Sequence, residues 1–185
     1  MATPLPLSLA ATRTTIDAID IGGRLSVQYQ KDSKQEAVYG GFIWSQRPDA
    51  TLITLLSPLG QTLANIDVTS AGATLRRAGQ PQRSAPDANT LVAEALGWPL
   101  PVSGLREWLQ GFVRDAGGKT LSVSPNDDSV IDTDDGWQLR YRNWEAATTD
   151  TAAHPKRIDL TRTTVEAGMV SIRIVVDSWQ PTGRQ

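Results

Sequence analysis

The side chains that could carry out catalysis are few in this chain of 185 residues. His154 is the only histidine and there is no cysteine, so neither a histidine/thiolate zinc site nor a thiol nucleophile can be assembled. A serine hydrolase triad would depend wholly on His154, and no G-x-S-x-G motif is present. His154 stands next to Pro155 in a polar stretch, where we expect a loop. The nucleotide-binding pattern G-x-x-x-x-G-K-[ST] does not occur either. The sequence therefore predicts a protein that is not an enzyme and that uses no cofactor.

Two acidic segments, Asp127-Asp128 and residues 132–136, have the composition of a calcium-binding loop. They do not fit the EF-hand register, because no glutamate follows at the required distance. Acidic hairpin turns explain both, and we predict no metal site. A pair of catalytic carboxylates has no sequence signature and is left open at this stage. The net charge of -2 and the pI near 5.4 argue against a nucleic-acid partner, which needs a concentrated positive surface.

The most informative segment is Ser57-Pro58-Leu59-Gly60, which places a bulky apolar residue at a predicted hairpin tip. Turns are normally polar, because their backbone stays hydrated. Pro58 fixes one backbone dihedral and Gly60 permits a positive φ, so the chain turns sharply and Leu59 has little to pack against. Single exposed leucines are common. Burying one in a bilayer gains about 1.5–3 kcal/mol, which is too little to hold a protein on a membrane but enough to guide an acyl chain.

The elements around this tip follow from the spacing of apolar residues. Short alternating runs separated by turn signals predict antiparallel strands in meander order over residues 22–84 and again over 118–180. Residues 87–111 predict a pair of helices, and residues 8–20 a short N-terminal helix. The chain therefore reads as a single domain over residues 1–185.

The helical segment carries its own boundary signals. Asp87 is a suitable N-cap for the first helix, and Gly97 ends it. The second helix has one apolar stripe at i, i+3, i+4 and i+7, formed by Leu105, Trp108, Leu109 and Phe112. We expect the two strand-rich halves to form one curved sheet with these helices packed against its open side.

The apolar layers between this sheet and its helices allow two interpretations. The simpler one is an ordinary hydrophobic core. The other is a cavity for an apolar ligand, because the mouth of a barrel closed by helices is a common binding place. Six tryptophans are many for this length and support the second interpretation, but the residues alone still favour the ordinary core.

An ordered set of features resembles the LolB family, the outer-membrane lipoprotein receptors of Gram-negative bacteria. The features are Phe42-x-Trp44, Ser57-Pro58-Leu59-Gly60, Glu94-x-x-Gly97-x-Pro99-Leu100-Pro101, Leu105-x-x-Trp108-Leu109-x-Gly111 and a closing Trp179. The resemblance extends over about residues 10–180, and it is carried by the order and spacing of the set rather than by one motif.

The resemblance implies an incomplete antiparallel β-barrel of about 11 strands, covered by a helical lid and enclosing a hydrophobic cavity for lipoprotein acyl chains. Members of the family accept lipoproteins from the periplasmic carrier LolA and place them in the inner leaflet of the outer membrane. The implied membrane-insertion loop is Pro58, Leu59 and Gly60. The residues expected to line the cavity are Val38, Phe42, Trp44, Ile66, Leu96, Trp98, Leu105, Trp108, Leu109, Trp137, Tyr141, Ile172 and Ile174.

The family's location raises a discrepancy. Its members are lipid-anchored at the periplasmic face of the outer membrane through an acylated N-terminal cysteine, whereas this sequence has no cysteine and no export signal. We expect a soluble, monomeric form from which signal and anchor have been removed; an unanchored homologue is the alternative. Two other functions are also left open, a LolA-type periplasmic carrier and a non-enzymatic β-domain for protein interaction with a solid core.

Overall fold

The computed structural model describes residues 15–125, 127–149, 152–165 and 167–182. Within these ranges, antiparallel strands dominate and two short helices, α1 (Ala88–Leu96) and α2 (Val102–Trp108), follow the sixth strand. The twelve strands are β1 (Ile19–Lys31), β2 (Lys34–Arg47), β3 (Ala50–Leu56), β4 (Thr62–Thr69), β5 (Gly72–Arg76), β6 (Arg83–Ala85), β7 (Phe112–Arg114), β8 (Thr120–Ser122), β9 (Ile131–Asp132), β10 (Gln138–Glu145), β11 (His154–Thr164) and β12 (Gly168–Pro181).

Ten of these strands form one antiparallel sheet in the order β6-β5-β4-β3-β2-β1-β12-β11-β10-β9, and β7 pairs with β8 alone. The edge strands β6 and β9 do not pair with each other, so the sheet is not closed into a barrel. The predicted class, an incomplete antiparallel barrel, is confirmed. The structure has twelve strands against the expected number of about 11: ten are in the main sheet, and the short pair β7–β8 lies apart from it.

Side-chain alternation along β1 explains why one face of the sheet is covered. Leu25, Val27 and Tyr29 are buried, whereas Arg24 and Gln28, which alternate with them along the strand, are exposed. The buried face lies against the helices, and we call it the inner face. The opposite face, which we call the outer face, carries the polar side chains that alternate with the buried ones. The close pairing of β1 with β12 needs a glycine, since a Cβ at Gly23 would lie 1.9 Å from the carbonyl oxygen of Val175.

The two helices begin and end at residues that the sequence marks. The Asp87 carboxylate accepts a hydrogen bond from the backbone N–H of Thr90, and Gly97 ends α1 in the left-handed conformation with φ 87°. The second helix is shorter than predicted. It ends at Trp108, because Gly111 turns the chain with φ 88° into β7.

Two sequence-based expectations need correction. The helix predicted over residues 8–20 lies mostly outside the described residues, and at its end the prediction is wrong, because Ile19 and Asp20 already belong to β1. Alternate burial of Ile19 and Ile21 is a strand pattern that a helical reading of the same residues overlooks. His154 was expected in a loop, but it begins β11 and is buried with its ring stacked on Trp179 at 4.3 Å between centroids.

Candidate functional site

The loop between β3 and β4 presents Leu59 to solvent, with 90% of its surface exposed. Its base is held by three hydrogen bonds: Gly60 N–H to the Ser57 carbonyl at 2.9 Å, Ser57 N–H to the Gln61 carbonyl at 2.8 Å, and Gln61 N–H to Ser57 Oγ at 3.1 Å. Gly60 has φ 90°, a value that side chains strain to adopt. The loop is therefore a defined turn that keeps Leu59 pointing away from the protein. We call residues 57–61 the tip loop.

An apolar cavity of about 170 Å³ lies on the inner face beside the tip loop. Strands β1 to β4 and the end of α1 surround it. Its wall includes Leu56 and Leu63, which flank the tip loop on its two sides. The other lining residues are Leu25, Val38, Tyr39, Gly40, Gly41, Leu55, Ala64, Arg77, Leu96 and Trp98. A cavity of about 150 Å³ holds one benzene molecule, so this one has room for a short stretch of hydrocarbon.

The residues predicted to line a cavity divide into two groups. Val38, Leu96 and Trp98 line the cavity just described. The others are buried in the hydrophobic core that fills the remaining space between sheet and helices: Phe42, Trp44, Ile66, Leu105, Trp108, Leu109, Trp137, Tyr141, Ile172 and Ile174. Trp108 also borders a polar cleft with Gln110 and Arg106. The cavity in this conformation is thus smaller than the thirteen predicted residues would enclose.

Several lining residues escaped the sequence analysis. Leu55, Leu56 and Leu63 belong to the two strands that carry the tip loop, and Ala64 is a small side chain that leaves space. The alternation of apolar and polar residues in β3 and β4 does place Leu55 and Ala64 on the same face of the sheet, so these two lining residues could have been predicted. Nothing in the sequence shows that the end of α1 lies over these strands.

Polar contacts attach both helices to the sheet at their ends. The guanidinium of Arg77 donates to the Ala95 carbonyl at 2.8 Å, near the end of α1, whose last turn contains no basic residue. This places a cation at the negative end of the helix. On α2, Arg106 donates to Thr51 Oγ1 at 2.7 Å and to the Arg47 carbonyl at 2.9 Å. The covering helices are therefore held by a few directional bonds as well as by apolar packing.

A groove of about 620 Å³ runs along the outer face on the other side of the tip loop, and we call it the outer groove. Ser57, Pro58 and Gly60 form one wall. Arg24 and Arg173 stand on the opposite side. The remaining lining residues are Leu25, Ser26, Tyr39, Gly40, Gly41, Leu56 and Val175. The groove has no signature in the sequence, because it exists only where β12, β1, β2 and the tip loop meet.

Charged groups near these features are mostly paired. Arg24 donates Nε and Nη2 to the Asp177 carboxylate at 2.9 Å each; these hydrogen bonds lower the pKa of Asp177 and raise that of Arg24. Burial lowers the pKa of His154. The Ser129 hydroxyl and amide bind Asp127 and lower its pKa.

Among the described residues, no three Asp, Glu, His or Cys side chains cluster closely enough to hold a metal ion, and no helix is long and apolar enough to cross a bilayer.

Comparison with known proteins gives a consistent family. The sequence model of the family described as outer membrane lipoprotein LolB matches residues 17–179. The chain is 39% identical to the outer-membrane lipoprotein LolB of Cupriavidus necator over 170 residues, which cover 86% of this chain and 79% of that protein. It is 34% identical to the protein of the same name from Thiobacillus denitrificans, over 97% of this chain and 84% of that protein.

Solved structures show the same architecture at low sequence identity. A LolA superfamily protein from Nitrosomonas europaea superposes with a TM-score of 0.51 at 9% identity, covering 100% of this chain and 96% of that one. A DUF1329 family protein from Desulfovibrio piger gives a TM-score of 0.54 at 14% identity with the same coverage. At such identities the similarity establishes the fold alone.

Proposed function

The chain belongs to the LolB family, and from this we propose that it is an outer-membrane lipoprotein receptor, which takes lipoproteins from a LolA-type carrier by their acyl chains and inserts them into the inner leaflet of the outer membrane. The observation that carries the proposal is the adjacency of the apolar cavity and the tip loop. Leu56 and Leu63 line the cavity and flank the loop that presents Leu59. An acyl chain leaving the cavity there stays on apolar surface up to the tip.

The energetics of acyl chains make this continuity necessary. Each methylene exposed to water costs about 0.8 kcal/mol, so a chain of ordinary length cannot cross an aqueous gap at a useful rate. The transfer makes and breaks no covalent bond. Its direction follows from the affinities of carrier, receptor and bilayer for the chains.

The volume of the cavity implies that loading displaces the helices. About 170 Å³ accepts part of one acyl chain. When α1 and α2 move away from the sheet, the buried residues between sheet and helices become the lining, among them Phe42 on β2 and Leu105 and Trp108 on α2. The ten predicted residues that now form the core would then contact cargo.

The partners and location of the protein follow from the same proposal. The carrier presents acyl chains at the cavity, and Leu59 meets the bilayer that receives them. The relatives are named as outer-membrane lipoproteins, and we place this protein, as a monomer, at the periplasmic face of that membrane. The carrier alternative lacks a specific observation in its favour, whereas an exposed apolar tip serves insertion.

The experiment that tests the proposal follows a labelled lipoprotein from a carrier complex to this protein and then to liposomes. We expect acceptance by the wild-type protein and by Leu59→Glu, and delivery to liposomes reduced at least about tenfold in the variant, because the tip no longer gains 1.5–3 kcal/mol in lipid. Val165→Glu is the matched control, since Val165 is also at a hairpin tip and is 98% exposed but does not border the cavity. Cargo that stays on the carrier, or equal delivery by both variants, would refute the proposal.

A further inference from the structure

We propose that the outer groove binds the headgroup region of a phospholipid of the bilayer that Leu59 enters, with Arg24 and Arg173 holding the phosphate. The inference rests on the proposed function, because the groove meets lipid only when the tip loop meets a membrane. It adds a second site next to the cavity, with which the groove shares Gly40, Gly41 and Leu56, and it assigns to the protein a direct contact with the receiving membrane's lipid.

The shape of the groove depends on Gly41, a residue without a side chain. Val175, Arg24, Gly41 and Leu56 are partners in successive pairs of neighbouring strands, so they form one row across the sheet, about 14 Å long at the usual strand spacing. Gly41 leaves the middle of this row bare; a Cβ there would lie 3.2 Å from the Gly23 carbonyl oxygen and 3.5 Å from the nearest Leu56 side-chain atom. The tip loop rises at one end of the row and the arginines at the other.

The arginines keep unused hydrogen-bond donors. Asp177 occupies Nε and Nη2 of Arg24, and Nη1 has no partner within the part of the chain that the structure describes. In the same part, the side chain of Arg173 makes no hydrogen bond and has only a 3.6 Å ion-pair contact with Asp159, a carboxylate that already accepts two hydrogen bonds from Arg157. Asp177 and Asp159 do not line the groove, whereas Arg24 and Arg173 do.

The local charge differs in sign from that of the whole chain. Three guanidinium groups, Arg24, Arg157 and Arg173, share two carboxylates, Asp159 and Asp177, which leaves one net positive charge. The chain as a whole carries -2. An anion approaching this face therefore meets attraction at the groove, and arginine is the side chain whose planar donors best match phosphate oxygens.

The rest of the groove suits the apolar part of the same ligand. Tyr39, which is 59% exposed, Leu56, Pro58 and Val175 offer apolar surface to the glycerol and the first methylenes. Tyrosine is favoured at membrane interfaces because its ring is apolar and its hydroxyl is polar. A phospholipid carries its phosphate next to hydrocarbon. The groove has the same sequence of polar and apolar groups, with the arginines on one side and the apolar residues Leu56 and Pro58 at the tip loop.

The first experiment measures binding of the protein to vesicles of phosphatidylglycerol and phosphatidylethanolamine by flotation. We expect Arg24→Gln and Arg173→Gln each to weaken binding about fivefold, the factor that corresponds to about 1 kcal/mol per basic residue, and the double variant about 25-fold. Arg76→Gln is the matched control, because Arg76 forms a similar exposed ion pair with Asp67 but lies outside the groove. Thermal unfolding of each variant checks that the fold is retained.

The second experiment uses the wild-type protein and a lipid below its micelle concentration. Dihexanoylphosphatidylglycerol should shift the NMR signals of the Gly41 amide and of the Arg24 and Arg173 side chains, and inorganic phosphate at equal concentration should not. Equal shifts with both ligands would indicate a simple anion site and overturn the inference. Shifts that appear only when a lipoprotein-derived peptide replaces the lipid would overturn it as well. If the Arg24→Gln, Arg173→Gln double variant binds vesicles as well as Arg76→Gln does, while Leu59→Glu is still impaired in delivery, the groove inference is overturned and the proposed function is not. Unimpaired delivery by Leu59→Glu overturns the proposed function.

Discussion

Gly40 of β2 lies directly beneath the carbonyl group of Leu56, so close that a Cβ at position 40 would be 2.1 Å from that oxygen. The contact coincides with an irregularity in the pairing of β3 with β4 between Leu55 and Leu56, immediately before the tip loop. Gly40 also lines both the inner cavity and the outer groove. The position of the tip loop over both features thus depends on a residue without a side chain.

Gly40→Ala should move the tip loop. The added methyl group meets backbone rather than a flexible side chain, so the strand end must shift, and we expect a loss of about 1–3 kcal/mol in the free energy of unfolding together with slower delivery to liposomes. Gly117→Ala is the control, because a Cβ there has only a side-chain oxygen at 3.5 Å. Urea unfolding and the delivery assay measure the two effects. Equal stability of the two variants would show that the loop is not seated on Gly40.

Ala64→Leu should fill the cavity and block it. Ala64 is buried and lines the cavity, which has room for the added methyl groups. We expect little change in stability and a clear loss of binding of an apolar fluorescent dye. Ala73→Leu is the matched control: Ala73 is buried on β5 away from the cavity, so the same change should cost about 1–3 kcal/mol by overpacking and leave dye binding intact. Undiminished dye binding by Ala64→Leu would place the acyl-chain site elsewhere.

Arg106→Met should loosen α2. The substitution removes the hydrogen bond to Thr51 and leaves this buried hydroxyl without its donor, at a cost of about 1–3 kcal/mol. We expect faster amide hydrogen exchange in α2, and faster loading from the carrier, because the helix opens more often. Arg76→Met, which removes an exposed ion pair, should change neither rate. Unchanged exchange in α2 would show that apolar packing alone holds the helix.

Stability should fall more steeply with acid in the wild type than in His154→Phe. Burial lowers the pKa of His154 below its ordinary value of 6.5, so the folded protein resists binding this proton. The stabilisation is complete above about pH 6.5 and declines as the pH falls from there through the folded pKa. Phenylalanine keeps the ring contact with Trp179 and cannot titrate. Melting temperatures at pH 7.5, 6.5 and 5.5 test this; parallel declines in both proteins would contradict it.

The fold was predictable wherever a signal is local. Alternate apolar residues in β1 and in β12 mark their buried faces, and the caps Asp87 and Gly97 mark the bounds of α1. The failures have local causes too. The N-terminal helix was predicted from a few apolar residues that also suit a strand, and the second helix was drawn past Trp108 because its stripe happens to continue to Phe112, which lies in β7.

The candidate site was predictable in part for the same reason. The exposure of Leu59 follows from Pro58 and Gly60 alone, since a sharp turn leaves its central residue without neighbours. The cavity wall was harder. Val38, Leu96 and Trp98 were anticipated, but Leu56 and Leu63 were not, because their role depends on which strands lie under α1.

The sequence by itself determined the antiparallel strands, the helical segment, the protruding leucine and the family, because each is set by residues near one another in the chain or by their order along it. Tertiary structure alone decided that the cavity adjoins the tip loop, that ten expected lining residues form the core, and that two arginines from different strands share one groove. These relationships join residues distant in sequence, and their distances are set by strand pairing and packing, which no local pattern records.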